Sequence, residues 1–270
     1  MTRSMPDAAT SAALIAVADR LADAARPVTL QHFRRPALPV DDKGAAGRFD
    51  PVTEADRGAE RAMRAVLAEA RPDDAILGEE YGAKDGTTGL TWVLDPVDGT
   101  RAFVCGAPTW GVLIAVSDAQ GPLFGIIDQP HVGERFRGGL GLAEVAGPHG
   151  TMPLRTRPAR PLSQAIVLTT FPEVGSAAEG AAFHAVARRA QLTRYGLDCT
   201  GYALLAAGQV DLVIEAGLHP YDVHAPIAVI EAAGGIVTDW QGAPAHAGGR
   251  VLAAANPAIH AEALAILSAF

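Results

Sequence analysis

Apolar residues recur at helical spacing at Leu14, Val17 and Leu21, predicting a helix over 12–25 that stops near Pro27. A second helix should open at Thr53-Glu54-Ala55-Asp56, where a hydroxyl and a carboxylate are spaced as in a capping box. Met63, Val66, Leu67 and Ala70 form its apolar stripe before Pro72. Between them, 38–50 is rich in Pro, Gly, Asp and Lys and reads as a mobile loop. The pattern then shortens to apolar runs of strand length at 75–77, 91–94, 111–116 and 123–127. After Gly150 it alternates. Strand 165–170, helix 178–190, strand 193–195, helix 202–207, strand 211–215 and helix 223–233 follow in turn, then strands 235–239 and 251–254 and a helix over 258–270. Hairpin-like strands between helices, then alternating elements, predict an α+β half over 1–150 joined to an α/β half over 151–270. The boundary falls near 146–160, among Pro148, Pro153, Pro158 and Pro161.

Composition narrows the class. A 270-residue chain that is 49% hydrophobic can bury a sizeable core. No run reaches the roughly 18 apolar residues that span a bilayer. Residues 1–7 lack the basic-then-apolar layout of a signal peptide, so a cytoplasmic protein without membrane attachment is expected. Cys105 and Cys199 are far apart and suggest neither a disulfide framework nor a zinc pair. The formal net charge of −8 argues against nucleic acid as partner.

That charge also bears on the chemistry. Trp92-Val93-Leu94 reads as the end of a buried strand, and Asp95-Pro96-Val97-Asp98-Gly99-Thr100 as a turn carrying two carboxylates and a hydroxyl. Carboxylates without nearby thiols or imidazoles favour a hard cation such as Mg²⁺, and bound cations reverse the field that would otherwise repel a phosphate. Two further acidic segments are Gly78-Glu79-Glu80 after a short strand and Pro220-Tyr221-Asp222-Val223 at a helix start. Singly, each has an ordinary reading as a surface turn, a solvated pair or an N-cap.

Taken together, and with Asp50-Pro51-Val52-Thr53-Glu54-Ala55-Asp56 and Glu231-Ala232-Ala233-Gly234-Gly235, these segments resemble the inositol monophosphatase family over nearly the whole chain. The resemblance implies a layered αβαβα sandwich and hydrolysis of a small phosphorylated metabolite by water, using two or three Mg²⁺ ions. It implies that Glu79, Asp95 and the Val97 carbonyl hold a first ion, and Asp95, Asp98 and Asp222 a second. Glu79 and Thr100 would orient and deprotonate the attacking water, and backbone N–H groups of Gly99 and Thr100 would cradle the phosphate. A homodimer is the expected assembly by the same analogy. Lys43 is either a lysine that helps close the site or a solvated loop residue.

The leaving group is less constrained. Arg101-Ala102-Phe103 after the metal motif, Asp198 in Arg194-Tyr195-Gly196-Leu197-Asp198-Cys199, and Asp128-Gln129-Pro130 with Gly133-Glu134-Arg135 resemble the histidinol-phosphatase subgroup. By that correspondence Asp198 and Glu215 lie at the rim and pair with the ammonium or imidazole of L-histidinol phosphate; otherwise Asp198 caps a helix and Glu215 accepts a sugar hydroxyl. Inositol 1-phosphate or another polyol phosphate is the alternative substrate, and a transcription antitermination partner the non-enzymatic one. His219 and His224 flank Asp222 at spacings that match no zinc cage.

Overall fold

The computed structural model describes residues 5–36, 38–44, 51–171 and 173–270. Asp50, the first residue of the 50–56 motif, and 45–49 of the predicted loop lie outside them. Two long helices open the chain, α1 (Ala8–His32) and α2 (Glu54–Ala70), with a short antiparallel pair between them, β1 (Asp41–Asp42) and β2 (Pro51–Val52). Helix α1 continues through Pro27 rather than ending there. Proline removes one helical hydrogen bond, that to the Asp23 carbonyl; two residues on, the Thr29 hydroxyl lies within reach of the Ala25 and Arg26 carbonyls. Buried Ala25 and Thr29 carry the packed face past the break. The predicted capping box is present at Thr53 and Asp56.

An eight-stranded sheet follows: β3 (Ala75–Gly78), β4 (Gly82–Lys84), β5 (Thr91–Asp98), β6 (Gly111–Asp118), β7 (Gly121–Gln129), β8 (Glu134–Gly139), β9 (Leu142–Gly147) and β10 (Gly150–Pro153), in the order β10-β9-β8-β7-β6-β5-β3-β4. A short helix, α3 (Thr100–Cys105), interrupts it. The hydrophobic pattern does not predict β8 to β10. Their side chains carry no apolar alternation; Arg135 and Arg137 instead pair with Asp19, Asp23, Asp128 and Glu144.

The second sheet has five strands in the order β12-β11-β13-β15-β14, from β11 (Ile166–Thr169), β12 (Leu192–Tyr195), β13 (Leu212–Leu218), β14 (Ile236–Thr238) and β15 (Gly249–Ala254). Its helices are α4 (Ala177–Ala187), α5 (Asp198–Ala206), α6 (Pro220–Ala232) and α7 (Pro257–Leu267). Three apolar clusters define the layers. One joins α1 and α2 to the outer face of the first sheet. A second fills the space between the sheets with α5 and α6. A third joins α4 and α7 to the outer face of the second sheet. The result is the expected αβαβα sandwich. Helix α6 lies so close to the first sheet that a Cβ at Gly125 would stand 2.6 Å from the Ala225 carbonyl oxygen, and one at Gly138 2.3 Å from the Val229 Cα. Two glycines in neighbouring strands therefore set how far α6 descends, and α6 carries Asp222.

Candidate active site

Glu79, Asp98, Asp198, Glu215 and Asp222 line one cleft of about 1220 Å³, and buried Asp95 groups with Asp98 and Asp222. In a regular strand, residues three apart point to opposite faces. Between Asp95 and Asp98, however, the register against β6 shifts: Asp95 faces Leu113 and Asp98 faces Gly111. This irregularity re-aims the chain, so carboxylate oxygens of Asp95 and Asp98 join one of Asp222, all within 4.8 Å of one another. Asp222 is held from the first turn of α6, where it accepts a hydrogen bond from the His219 N–H (2.6 Å). Asp98 accepts one from the Cys199 N–H (2.7 Å), which ties it to the start of α5. Asp95 accepts one from the Val97 N–H (3.0 Å).

Glu79 follows β3 and is aimed by a residue that sequence reasoning passed over. Buried Glu60 of α2 accepts hydrogen bonds from the Glu80 (2.7 Å) and Tyr81 (3.2 Å) N–H groups. Gly78 leaves room for it: a Cβ there would lie 2.0 Å from a Glu60 oxygen, so the Glu60 carboxylate would have to shift. Burial pushes the Glu79 carboxyl up to about 7, with Lys43 opposing and Glu80 and Asp222 reinforcing the rise. Asp95 is raised well above the carboxylate range by burial, then by Glu79, Asp98 and Asp222; Asp98 is raised by burial, then by Asp198 and Asp222. Such mutual repulsion among oxygen donors is what a hard divalent cation relieves, so the donor set fits Mg²⁺. Lys43 is not a free loop lysine: its Nζ reaches Glu80 at 2.6 Å and Glu79 at 3.1 Å.

Thr100 opens α3 after Gly99, whose left-handed backbone (φ 82°) turns the chain into the helix. The Thr100 hydroxyl lies 3.0 Å from the Val97 carbonyl and 3.2 Å from Asp56 Oδ1. Asp56 is the second residue missed: it is fully buried, and its other oxygen accepts from the Thr53 N–H and hydroxyl. Its signal was present in the 50–56 motif, but the capping box accounted for it without a chemical role.

Arg101, Asp198, Glu215 and Tyr202 also line the cleft. Glu215 is 6% exposed, so it belongs to the wall and not to the rim expected from sequence. It accepts hydrogen bonds from the Thr170 N–H (2.8 Å) and hydroxyl (2.9 Å), and burial pushes its carboxyl up to about 7 against them. Asp198 does not cap α5; Leu197 holds that position, and Asp198 is its first residue, in a left-handed conformation (φ 47°). Burial raises its pKa, while a hydrogen bond from Thr109 and the charge of Arg101 lower it. The Arg101 guanidinium stacks 4.8 Å from the Phe171 ring centre. The buried Tyr202 hydroxyl has no hydrogen-bond partner among the described residues. Neither flanking histidine joins the carboxylates: His219 stacks on Tyr221, and His224 turns to Ser117 and the His246 carbonyl.

Residues 11–269 match the inositol monophosphatase family model. The chain belongs to that family. It is similar to the chloroplastic bifunctional phosphatase IMPL2 of Arabidopsis thaliana, at 42% identity over 84% of this chain and 64% of the plant protein, so it spans just under two thirds of that relative. It is 32% identical to a histidinol-phosphatase of Chlorobaculum parvum, over 92% of this chain and 93% of the other. The solved structure of an inositol monophosphatase from Zymomonas mobilis matches with a TM-score of 0.84 and 38% identity, covering 97% of this chain and all of that one. As a member of this family the protein is a phosphomonoesterase, and the acidic cluster agrees with the metal dependence of the family.

Proposed function

We propose that the protein hydrolyses L-histidinol phosphate with Mg²⁺ as cofactor. The observation that carries this reading is the pair of carboxylates, Asp198 and Glu215, placed beside the acidic cluster in one cleft. Both have carboxyl pKa values raised by burial, opposed at Asp198 by Arg101 and a Thr109 hydrogen bond, and a cationic leaving group would add counter-charge to the pair. A neutral polyol has no such charge to offer. The histidinol-phosphatase relative supports the same substrate.

Glu79, Asp95 and the Val97 carbonyl are assigned to one ion, and Asp95, Asp98 and Asp222 to a second. Bound Mg²⁺ supplies a water of lowered pKa and neutralises charge on the attacking and leaving oxygens. Thr100 orients that water. Its hydroxyl has two acceptors in reach, Asp56 Oδ1 and the Val97 carbonyl, for its one hydrogen, which would leave its lone pairs for the water. Glu79, held ionised by the bound cation, is the carboxylate assigned to accept the proton of the water. Arg101, at the mouth of the cleft, offers positive charge to the incoming phosphate.

The test is phosphate release from L-histidinol phosphate and from inositol 1-phosphate, side by side, with and without EDTA. A kcat/KM preference for histidinol phosphate of at least tenfold, abolished by EDTA and restored by Mg²⁺, is expected. Preference for inositol 1-phosphate would leave the metal chemistry standing and remove the assigned leaving group.

A further inference from the structure

The Asp128-Gln129-Pro130 motif has no part in the site as described so far, although it ends the strand beside it. Gln129 donates from Nε2 to the Thr200 hydroxyl at 2.6 Å. The Thr200 hydroxyl donates to the Thr109 carbonyl at 2.8 Å. The Thr109 hydroxyl in turn donates to Asp198 Oδ2 at 2.9 Å. Strand β7, the turn before β6 and the start of α5 are thus bolted together through four side chains. Thr109 is held on its other side as well, since its neighbour Trp110 is buried edge-on against Phe103 and packed on Phe33.

From this geometry we infer that Thr109, held by the Gln129–Thr200 pair, is a positioning residue that fixes the Asp198 carboxylate for leaving-group recognition. Asp198 needs such a fixture. It stands in a left-handed backbone conformation that aspartate tolerates but does not prefer, and its side chain packs over Gly99, where an added Cβ would lie 2.8 Å from its Cγ. The hydrogen bond tethers Oδ2, and the carboxylate keeps acceptor capacity for a donor in the cleft. The inference rests on the leaving-group reading above and names the residues that give Asp198 its aim.

Thr109→Val removes the hydroxyl at nearly constant volume. In this variant the KM for L-histidinol phosphate should rise roughly tenfold, as expected for a hydrogen bond to a charged group. Its kcat should hold, and its KM for inositol 1-phosphate should change less than twofold. Thr109→Ser should restore the wild-type KM, a rescue that mere filling of space would not produce. The double variant Thr109→Val/Asp198→Ala should match Asp198→Ala alone on whichever ester the wild type hydrolyses best. Additive effects in that cycle, or no effect of Thr109→Val on any ester, would overturn the positioning role. A wild type that ignores histidinol phosphate while the cycle stays non-additive would instead overturn the leaving group alone.

Discussion

A single charge separates Asp222 from an ordinary N-terminal helix residue. Its carboxylate caps the His219 N–H and also completes the three-acid cluster. A side-chain amide in its place would keep the capping oxygen and lose the charge, so Asp222→Asn should fold normally by circular dichroism. Its Mg²⁺-dependent phosphate release should fall at least roughly 100-fold, since disturbing even the outer partners of metal ligands costs 10–100-fold. Near wild-type turnover in the purified variant would remove Asp222 from the metal assignment. At this scale the sequence was legible where a residue belongs to a dense motif, as Asp95 and Asp98 do. Glu60 and Asp56 were opaque because their role comes from facing another element: Glu60 reaches the 78–81 turn and Asp56 reaches Thr100.

At the scale of elements, the turn from β5 into α3 depends on Gly99. Its φ of 82° is a conformation costly for residues with a side chain, and a Cβ would press on Asp198. Gly99→Ala should therefore destabilise the protein by about 1–2 kcal/mol and lower the melting temperature by a few degrees. It should lower kcat/KM as well, because Thr100 moves with the turn. A variant that melts and turns over like the wild type would show that the turn relaxes freely. The same scale holds most of the differences between pattern and structure. Helix α1 outruns Pro27 because its buried face continues to Thr29, and α5 begins at Asp198 rather than at 202, its first-turn Cys199 N–H taken up by Asp98 from a distant element. Strands β8 and β9 are held by ion pairs to α1 and to one another, which apolar periodicity does not report.

For the whole molecule, the acidic cleft couples stability to pH and to metal. The Glu79 and Glu215 carboxyls rise from 4.5 to about 7 on folding. Between those values the folded chain holds protons that the unfolded chain has released, so without metal stability falls as pH rises from 4.5 toward 7 and stays lowered above it. Divalent ions favour the ionised form of the cluster and offset that loss. Adding Mg²⁺ to EDTA-treated protein should raise the melting temperature by several degrees at about pH 8 and by much less at about pH 5. Equal shifts at both pH values would contradict the raised carboxyls.

Local pattern alone was enough for the helices with strong stripes, the alternating second half, the three acidic segments and the resemblance that joins them, because each is written in residues close together in the chain. Tertiary structure decided what required distant residues to meet. The register shift turned Asp95 and Asp98 to one side, and glycines in β7 and β8 let α6 bring Asp222 down to them. Burial then raised the carboxyls, and Thr109 met Asp198 across 89 residues. Charge, burial and hydrogen-bond direction are properties of neighbours in space, and only the folded chain supplies those neighbours.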